Sequence, residues 1–490
     1  MNFDDKIKEA TLKIYKVADE KADKDIIRPE YHFHAPAQWM DDPNGVIYYK
    51  GYYHMMYSLN PDTDNYRAGM VYKTGSSIWK TSEPDWTGGI TVWGHARSKD
   101  LLHWEHLPVA LYPETDNGEF YIWFGCTAIN DEGIPVAIYT SIGYEDRNPT
   151  DSAIQHIWFG DDDLIEWRPK KGVNPIMTEK LHNGDKIWEW RDPFLFRQNG
   201  KAYLILGGKE DKAQGGKAVV LLYAAKNKAF TEWEYKGILF EYPDEKLRSC
   251  ECPNIVQVGD KWVLLVSPHG PVQYFVGDLD AEHCKFTWEK RGYVDRSTHF
   301  YATNVIPDEK DRKLMWGAIE GFQNTSGWNG INSLPREISL SENLDLKQQV
   351  PEEFKALRKG DMVSIENTYT SKKGTLELEI DFEDGTEGTV QIGKNVIVIK
   401  TESLEIERLE IPLEKKKTHK LHAYVDKSVM EVFIDDQETF TAMLQPVTEN
   451  VDISKNSEKI KVNVYELDAK GLYTRFYRTL GKAEQWENNM

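Results

Sequence analysis

Three short motifs in the sequence each place a carboxylic acid at the start of a β-strand pattern. They are DDPNG with Asp42, RDPF with Asp192 and ECPN with Glu251. In each motif a proline follows the acid by one or two residues, and proline at the first position of a strand fixes the backbone there. An acid that only capped its own turn would explain one such motif better than it explains three.

Three carboxylates that converge in one pocket have two common uses. They can bind a hard metal ion such as calcium, which takes about six to eight oxygen ligands and often uses alternating Asp and Asn in one loop. The sequence does not show that alternation, so we predict no metal and no cofactor. They can instead serve a retaining glycosidase, which needs a nucleophile and a proton donor about 5 Å apart. The pattern favours the glycosidase.

The three acid motifs open hairpins of one layout, in which two apolar strand patterns flank a turn that contains glycine. A second repeat consists of a polar lead-in, a tryptophan and a short apolar strand. Its tryptophans are spaced 63, 66 and 55 residues apart: Trp104, Trp167, Trp233 and Trp288. Repeats of short strands at this spacing are typical of a β-propeller. Because the inner strands of all blades begin at one end of the channel, the three acids are predicted to meet there.

The strand pattern divides the chain into four segments. Residues 1–28 form a charged amphipathic helical segment, and residues 29–340 give room for a five-bladed catalytic propeller. Residues 341–360 interrupt the strand rhythm and are predicted to be a helical linker. Residues 361–490 alternate apolar and polar side chains, which indicates an antiparallel sandwich. The predicted fold is all-β: a five-bladed β-propeller followed by a C-terminal β-sandwich, with a short N-terminal helix.

The chain of 490 residues has 60 basic and 80 acidic residues, a net charge of −20. This charge disfavours nucleic acid and anionic membranes as partners and suits a neutral substrate. The 16 Trp and 25 Tyr residues fit stacking on sugars, although a β-rich core also uses them.

The sequence shows neither a signal-peptide core nor a long apolar run, so we predict a cytoplasmic protein with reduced cysteines. The N-terminal helix is predicted to pack on the body of the protein or on a partner subunit, which leaves a homo-oligomer open.

These motifs resemble those of glycoside hydrolase family 32, which includes invertases, sucrose-6-phosphate hydrolases and fructan hydrolases. WMDDPNG is similar to the family's W-M-N-D-P-N-G, WRDP to its F-R-D-P and ECP to its E-C-P. The resemblance covers about residues 31–490 and implies a five-bladed propeller with a β-sandwich. It implies that Asp42 is the nucleophile, Glu251 the acid/base and Asp192 a stabiliser of the transition state. The pKa of Glu251 is then expected to be raised by burial and by neighbouring carboxylates.

The resemblance also implies a set of substrate contacts, some of which depart from the family pattern. Asp41 replaces an Asn, Ser58 a Gln, and His299 an Asp. An insertion at residues 62–83 precedes Trp86, which matches a substrate-facing Trp. The full set of predicted substrate-binding residues is Trp39, Asp41, Ser58, Trp86, Trp123, Phe124, Arg191 and His299.

The predicted function is removal of a terminal β-D-fructofuranosyl unit from a short saccharide such as sucrose, sucrose 6-phosphate or a fructo-oligosaccharide. Hydrolysis and transfer share the covalent intermediate, so the alternative is a fructosyltransferase or an enzyme that forms or hydrolyses difructose anhydrides. A third interpretation is a sugar-binding protein without turnover. Because the acidic triad is intact while its surroundings differ, a changed substrate or acceptor is favoured over lost activity.

Overall fold

The computed structural model is built almost entirely of β-strands that follow one N-terminal helix. It describes residues 3–64, 90–143, 153–210, 216–244, 247–322, 326–444 and 450–476. The predicted helix is confirmed: α1 spans Phe3–Glu20, and a 3-10 helix follows at Ala22–Lys24. The helix packs on the body of the same chain, since Thr11 Oγ1 accepts a hydrogen bond from the backbone N–H of Val109 at 3.1 Å. No helix among the described residues is long and apolar enough to cross a membrane.

Four four-stranded antiparallel units form the first four blades. The first consists of β1 (Gln38–Tyr49), β2 (Tyr52–Asn60), β3 (Val92–Ser98) and β4 (Trp104–Leu111). The second consists of β5 (Glu119–Ile129), β6 (Pro135–Gly143), β7 (Ile154–Gly160) and β8 (Trp167–Arg168). The third consists of β9 (Trp188–Gln198), β10 (Lys201–Lys209), β11 (Ala218–Ala225) and β12 (Trp233–Glu241). The fourth consists of β13 (Glu251–Val258), β14 (Lys261–Ser267), β15 (Gln273–Asp280) and β16 (Lys285–Tyr293).

The fifth blade closes the propeller. Its strands are β17 (Phe300–Pro307), β18 (Lys313–Ile319), β19 (Trp328–Asn329), β20 (Ile331–Asn332), β21 (Arg336–Leu340) and β22 (Leu346–Gln349). The short strand β19 leaves this blade and pairs in parallel with β1 of the first blade. The inner strands β1, β5, β9, β13 and β17 contact one another in a closed ring. The predicted five-bladed propeller is confirmed.

The tryptophan repeat marks the outer strands of three blades. Trp104, Trp167 and Trp233 begin β4, β8 and β12, and each Nε1–H donates to the carbonyl three residues earlier at 2.8–3.0 Å. The residues whose carbonyls accept these bonds, Leu101, Leu164 and Phe230, have positive φ. Each tryptophan therefore closes a turn with a left-handed residue ahead of its strand. Trp288 does not belong to this pattern, because it lies within β16 and is 38% exposed.

The predicted sandwich is also confirmed. Its strands are β23 (Arg358–Ser364), β24 (Thr368–Ser371), β25 (Thr375–Glu383), β26 (Gly388–Ile392), β27 (Asn395–Ile399), β28 (Ser403–Ile406), β29 (Leu409–Pro412), β30 (Thr418–Asp426), β31 (Val429–Ile434), β32 (Glu438–Met443), β33 (Val451–Lys455) and β34 (Lys461–Leu467). One sheet has the order β23-β34-β25-β30-β31-β32 and the other β24-β33-β26-β27-β28-β29. Alternate side chains of the two sheets, such as Leu378 of β25 and Val390 of β26, form its apolar core.

The helical character predicted for the linker at 341–360 is wrong over most of its length. Leu346–Gln349 forms β22, which pairs with β21 in the fifth blade, and only Glu352–Leu357 is helical, as a 3-10 helix. The polar sequence hid this strand because one of its two buried side chains is Gln348, the other being Leu346. Gln348 Nε2 donates to the carbonyl of Val294 at 2.7 Å, so a tertiary contact replaces the apolar signal.

The chain returns to the propeller after the sandwich. β35 (Tyr473–Arg475) pairs in parallel with β4 of the first blade. Arg475 also donates to Asp19 at 2.7 Å and to Asp23 at 2.5 Å in the N-terminal segment. These residues, which the prediction placed in the sandwich, therefore lie on the first blade and hold the two ends of the described chain together.

A group of five buried charged residues joins the propeller to the sandwich. We call it the interface cluster, and it consists of His32, Asp295, Arg336, Asp426 and Glu431. Arg336 Nη2 donates to Asp295 Oδ2 at 2.9 Å and to Glu431 Oε2 at 2.6 Å. His32 lies between Asp426 and Glu431, with its two ring nitrogens 2.9 Å and 3.0 Å from their oxygens. Burial lowers the pKa of His32, but these two acids raise it to about 9.

Candidate active site

Every inner strand of the propeller carries a β-bulge at the same level, where two residues lie opposite one residue of the next strand. The bulged pairs are Asp41–Asp42, Trp123–Phe124, Asp192–Pro193, Cys252–Pro253 and Ala302–Thr303. In the last three blades the first bulged residue has a positive φ, of 68°, 44° and 47° respectively. A bulge bends its strand and changes the direction of the side chains. The five bulges therefore form a ring around one end of the channel.

The structure brings the three predicted catalytic acids together at this ring. Asp42 is the second bulged residue of β1, Asp192 the first of β9, and Glu251 directly precedes the bulge of β13. Asp42 interacts electrostatically with both Asp192 and Glu251. The acids are thus offset by one residue from one another, although the prolines of their motifs suggested equivalent positions.

Glu251 is held by three partners. Arg191 Nη2 donates to Oε1, Tyr301 Oη donates to Oε2 at 2.6 Å, and His269 Nδ1 lies 3.3 Å from Oε2. Burial raises the pKa of Glu251, but Arg191, His269 and Tyr301 together have the larger, opposite effect. The pKa is therefore lowered to about 2. The expected increase in this pKa is therefore wrong for the free protein, because Arg191 contacts Glu251 directly.

Arg191, a predicted substrate contact, is 5% exposed and bridges acids from two blades. Besides Glu251, its guanidinium donates to Glu189 Oε2 at 2.6 Å and to Ser249 Oγ at 3.2 Å. Glu189 in turn accepts hydrogen bonds from Arg248 at 3.1 and 3.2 Å. Glu189 and Ser249 thus hold the guanidinium of Arg191 in place, and the main contact of Arg191 with the acids of the site is with Glu251.

Asp192 is fixed by neighbouring blades on both sides. Its Oδ2 accepts a hydrogen bond from the backbone N–H of Cys252 at 2.9 Å, and its own N–H donates to Thr140 Oγ1 at 2.8 Å. Burial raises the pKa of Asp192 to about 6 despite the nearby Arg191. Burial also raises the pKa of Asp42, and the charges of Asp192, Glu320 and Glu251 raise it further.

A fifth acid, Glu320, belongs to the site and was missed by the sequence analysis. It directly follows β18, and its backbone N–H donates to the carbonyl of His299 at 2.9 Å. His299 Nδ1–H donates back to the carbonyl of Glu320 at 2.9 Å. The carboxyl group of Glu320 interacts electrostatically with those of Asp41 and Asp42. No sequence motif marked Glu320, because it reaches the acids only through the closure of the ring.

The pKa values of Asp41 and Glu320 are both raised. For Asp41 the causes are burial and the charges of Glu320, Asp42 and Glu251. For Glu320, burial and the charge of Glu251 raise the pKa to about 7. We call the five carboxyl groups of Asp41, Asp42, Asp192, Glu251 and Glu320 the axial acid cluster.

The remaining predicted contacts lie around this cluster. Trp39 is buried and its backbone N–H donates to the carbonyl of Thr63, whereas Trp123 is half-buried and is the first bulged residue of β5. Ser58 is 5% exposed and its Oγ accepts a hydrogen bond from Asn44 at 2.8 Å. Phe124 is 1% exposed and packs against Cys252 and Ala302, which are bulged residues of β13 and β17. Trp86 and most of the 62–83 insertion lie outside the described residues.

Two groups with metal-ligand geometry occur in the described part of the chain, and both lie outside the axial acid cluster. They are Glu114, Glu119 and His156, and Glu377, Glu379 and His422. Glu119 accepts a hydrogen bond from Tyr139 Oη at 3.1 Å, and Glu377 is paired with Arg358 at 2.6 Å. The protein itself therefore provides partners for these carboxylates.

Two family models match the chain and define it as a glycosidase. The glycosyl hydrolases family 32 N-terminal domain matches residues 32–77 and 69–350, and the family 32 C-terminal model matches residues 346–470. The chain belongs to glycosyl hydrolase family 32, as its motifs indicated.

The names of similar proteins in this family refer to enzymes that act on fructose-containing sugars. The sucrose-6-phosphate hydrolase of Escherichia coli is 26% identical over 87% of this chain and 91% of its own length. The levanase of Bacillus subtilis is 31% identical over 68% of this chain and 48% of its own length. The structure of sucrose-6-phosphate hydrolase from Lactobacillus gasseri superposes with a TM-score of 0.78 at 22% identity, covering 94% of this chain and 96% of that one. Fructose-releasing hydrolysis is therefore the activity of the family to which this glycosidase belongs.

Proposed function

We propose that the protein is a retaining β-fructofuranosidase that removes a terminal β-D-fructofuranosyl unit from a short saccharide. The observation that carries this proposal is the convergence of Asp42, Asp192 and Glu251 on bulged inner strands of a family 32 propeller. The names of the relatives support a fructose-containing substrate. A small neutral saccharide also suits a site that is rich in carboxyl groups, because a neutral molecule is not repelled by them.

In the proposed mechanism each acid has one role. Asp42, ionised and held by the bulge of β1, attacks the anomeric carbon while the bond to the leaving-group oxygen breaks. Glu251 gives its proton to that oxygen and later takes a proton from the water that releases the sugar. Asp192, fixed by Cys252 and Thr140, stabilises the positive charge that develops on the sugar ring.

In the free protein, the contacts of Glu251 with Arg191 and Tyr301 favour its ionised form. The pKa of Asp42 is raised, whereas that of Glu251 is lowered to about 2 despite burial. The reaction needs one proton on these two groups, placed on Glu251. We propose that the proton moves to Glu251 when the saccharide binds. Interacting carboxyl groups titrate as a unit, so the pH–rate profile reports the two apparent pKa values of the pair whichever group holds the proton.

The test is a substrate screen with analysis of the products. Purified protein is incubated with sucrose, sucrose 6-phosphate, kestose, inulobiose and difructose anhydrides, and the products are resolved by chromatography and by NMR. We expect free fructose whose first-formed anomer is the β-furanose. An inverted anomer, or no turnover of any of these sugars, would contradict the proposal. Transfer products in place of fructose would favour the fructosyltransferase alternative.

The cytoplasmic location and the homo-oligomer remain predictions. All four cysteines, Cys126, Cys250, Cys252 and Cys284, are free thiols, and free thiols are usual in a reducing compartment. Light scattering of the purified protein during size-exclusion chromatography measures the oligomeric state directly.

A further inference from the structure

The two groups with metal-ligand geometry are paired in different ways. In the group of Glu377, Glu379 and His422, the guanidinium of Arg358 donates to Glu377 at 2.6 and 2.7 Å and to Glu379 at 3.2 Å. Arg358 thus compensates the charge of both carboxylates, as a metal ion would. This group therefore gives no reason to expect a metal ion.

The other group, Glu114, Glu119 and His156, belongs to the second blade. Glu114 lies in the loop that precedes β5, Glu119 is the first residue of β5, and His156 is the third residue of β7. One ligand atom from each of the three lies within 4.8 Å of the other two. Glu119 is 1% exposed, and it accepts hydrogen bonds from the backbone N–H of Glu114 at 2.7 Å and from Tyr139 Oη at 3.1 Å. Both donors are neutral, so they orient the carboxylate of Glu119 without compensating its charge.

The side chain of His156 supplies an independent observation that points to a ligand. His156 is 7% exposed, and its buried Nδ1 makes no hydrogen bond within the described part of the chain. This nitrogen nevertheless lies 3.2 Å from Glu119 Oε1. Two ligands that are each about 2.0–2.1 Å from a tetrahedral zinc ion lie roughly 3.3 Å apart. The spacing of the two atoms therefore fits two ligands of one ion, and an ion is one of the few partners that satisfy a buried polar atom of this kind.

We propose that Glu114, Glu119 and His156 bind a divalent cation of the zinc type. One imidazole nitrogen and two carboxylate oxygens suit zinc, whereas calcium takes oxygen ligands. Three protein ligands leave the fourth tetrahedral position to water. Tyr139 is a positioning residue, because its hydrogen bond orients the carboxylate of Glu119.

The prediction of no metal rests on the spacing of acids within one loop, and that rule does not cover this group. Its ligands come from a loop and from two strands that are separated in the sequence. The ion holds the start of β5 to β7 and to the preceding loop. Because β5 carries the bulged pair Trp123–Phe124, the ion has a structural role at an inner strand and takes no part in the proposed reaction. The inference is therefore independent of the proposed function.

The test measures how tightly the full-length protein binds zinc. Protein that has been freed of metal by a chelator is titrated with Zn²⁺ alone, and the bound metal is measured by equilibrium dialysis and mass spectrometry. We expect one zinc ion per chain at this site and a higher melting temperature in its presence. His156→Gln and Glu114→Gln each remove a ligand and should weaken binding at least about a hundredfold, whereas Tyr139→Phe should weaken it about tenfold. Glu114 is half-buried in a loop, so Glu114→Gln gives the same readout if His156→Gln fails to fold.

The matched control is His422→Gln, which removes the imidazole from the group that Arg358 compensates. It should leave the zinc affinity unchanged. Wild-type protein that binds no zinc, or variants of His156 and Glu114 that bind it as tightly as wild type, would overturn the proposal. Displacement of the zinc by calcium would also overturn it, because the donor set would then not include the imidazole.

Anomalous X-ray scattering from crystals soaked in Zn²⁺ gives the position of the ion. We expect a peak between Glu114, Glu119 and His156. A peak only at the axial acid cluster or at His422 would contradict the proposal. Zinc binding and fructose release are measured separately, so a failure of the proposed function is distinguished from a failure of this inference.

Discussion

The axial acid cluster and the interface cluster are built from similar residues but paired very differently. In the interface cluster, Asp295 pairs with Arg336, Asp426 pairs with His32, and Glu431 pairs with both. In the axial acid cluster, the guanidinium of Arg191 is the one that the described residues bring close to the five acids, and it contacts Glu251. The consequence is opposite pKa shifts. Arg336 and His32 lower the pKa of Glu431 despite burial, whereas burial and like charges raise the pKa of Asp42.

This difference distinguishes a stabilising group of charges from a reactive one. Buried charges that have partners hold two domains in register, and removal of one partner leaves the others unpaired. Buried carboxyl groups that face like charges, as Asp42 does, cost stability and are typical of functional sites. Four predictions follow from the comparison, and each changes one cluster while the other serves as its reference.

The largest expected effect is that of Asp42→Asn on activity. The change is isosteric but removes the proposed nucleophile, so kcat is expected to fall by several orders of magnitude, roughly 10⁴-fold. The melting temperature is expected to stay the same or rise, because a carboxyl group that faces several other acids is replaced by an amide. Steady-state kinetics and calorimetry measure the two quantities, and activity within tenfold of wild type would contradict the assignment.

The opposite pattern is expected for Glu431→Gln in the interface cluster. Glu431 accepts hydrogen bonds from His32 and from Arg336, and its loss leaves both cations without a charged partner at that position. We expect a decrease of about 3–5 kcal/mol in the free energy of unfolding, measured by denaturant titration. Activity per folded molecule should stay within about twofold of wild type. A variant of unchanged stability would show that the interface cluster does not hold the domains together.

The pH dependence of stability provides a smaller effect that separates the clusters. A group whose pKa is raised by folding stabilises the protein below its unfolded pKa, and the effect is lost as the pH rises through the folded pKa. For His32 this window runs from 6.5 to about 9, and the loss is on the order of 3 kcal/mol. Wild type should therefore lose stability across this window.

Two variants assign that pH dependence to its groups. His32→Gln should be less stable than wild type at pH 6.5 and show a flatter curve up to pH 9. The pKa of Glu320 is raised from its ordinary value of 4.5 to about 7, so Glu320→Gln should instead flatten the curve between these two pH values. Melting temperatures measured across both windows test this assignment, and curves parallel to that of wild type would refute it.

The smallest expected effect concerns substrate preference. Asp41→Asn restores the amide that the family pattern has at this position, so it should raise the activity on sucrose relative to that on the native substrate. The quantity measured is the ratio of the two kcat/KM values in wild type and variant. A ratio that changes by less than about twofold, or roughly 0.4 kcal/mol, would mean that Asp41 does not determine specificity.

Local sequence signals predicted the parts of the protein that local structure determines. The acid–proline motifs placed Asp42, Asp192 and Glu251 on inner strands, and the tryptophan repeat predicted the blades, because each depends on a few adjacent residues. Glu320 could not be found in this way, since it meets Asp41 only when the last blade closes on the first. The lowered pKa of Glu251 was missed for the same reason: it depends on how Arg191 is oriented across two blades.

Two further differences between the sequence predictions and the structure also have tertiary causes. The strand at Leu346–Gln349 has little apolar pattern because one of its two buried side chains is Gln348, whose amide group is hydrogen-bonded to Val294 and Arg336. Trp288 follows the spacing of the repeat but lies inside β16. In both places contacts between distant segments override the local pattern, which a single sequence does not display.

The most direct test of the proposed mechanism is to trap its covalent intermediate. Glu251→Gln lacks the proposed acid/base, so it should react with an activated donor such as a fructosyl fluoride, which needs no protonation, and then release the sugar slowly. Mass spectrometry of the variant should show the mass of one fructosyl unit added, on a peptide that contains Asp42. A label on another residue, or an unlabelled protein that is slowed equally toward good and poor leaving groups, would contradict the assignment of Asp42 and Glu251.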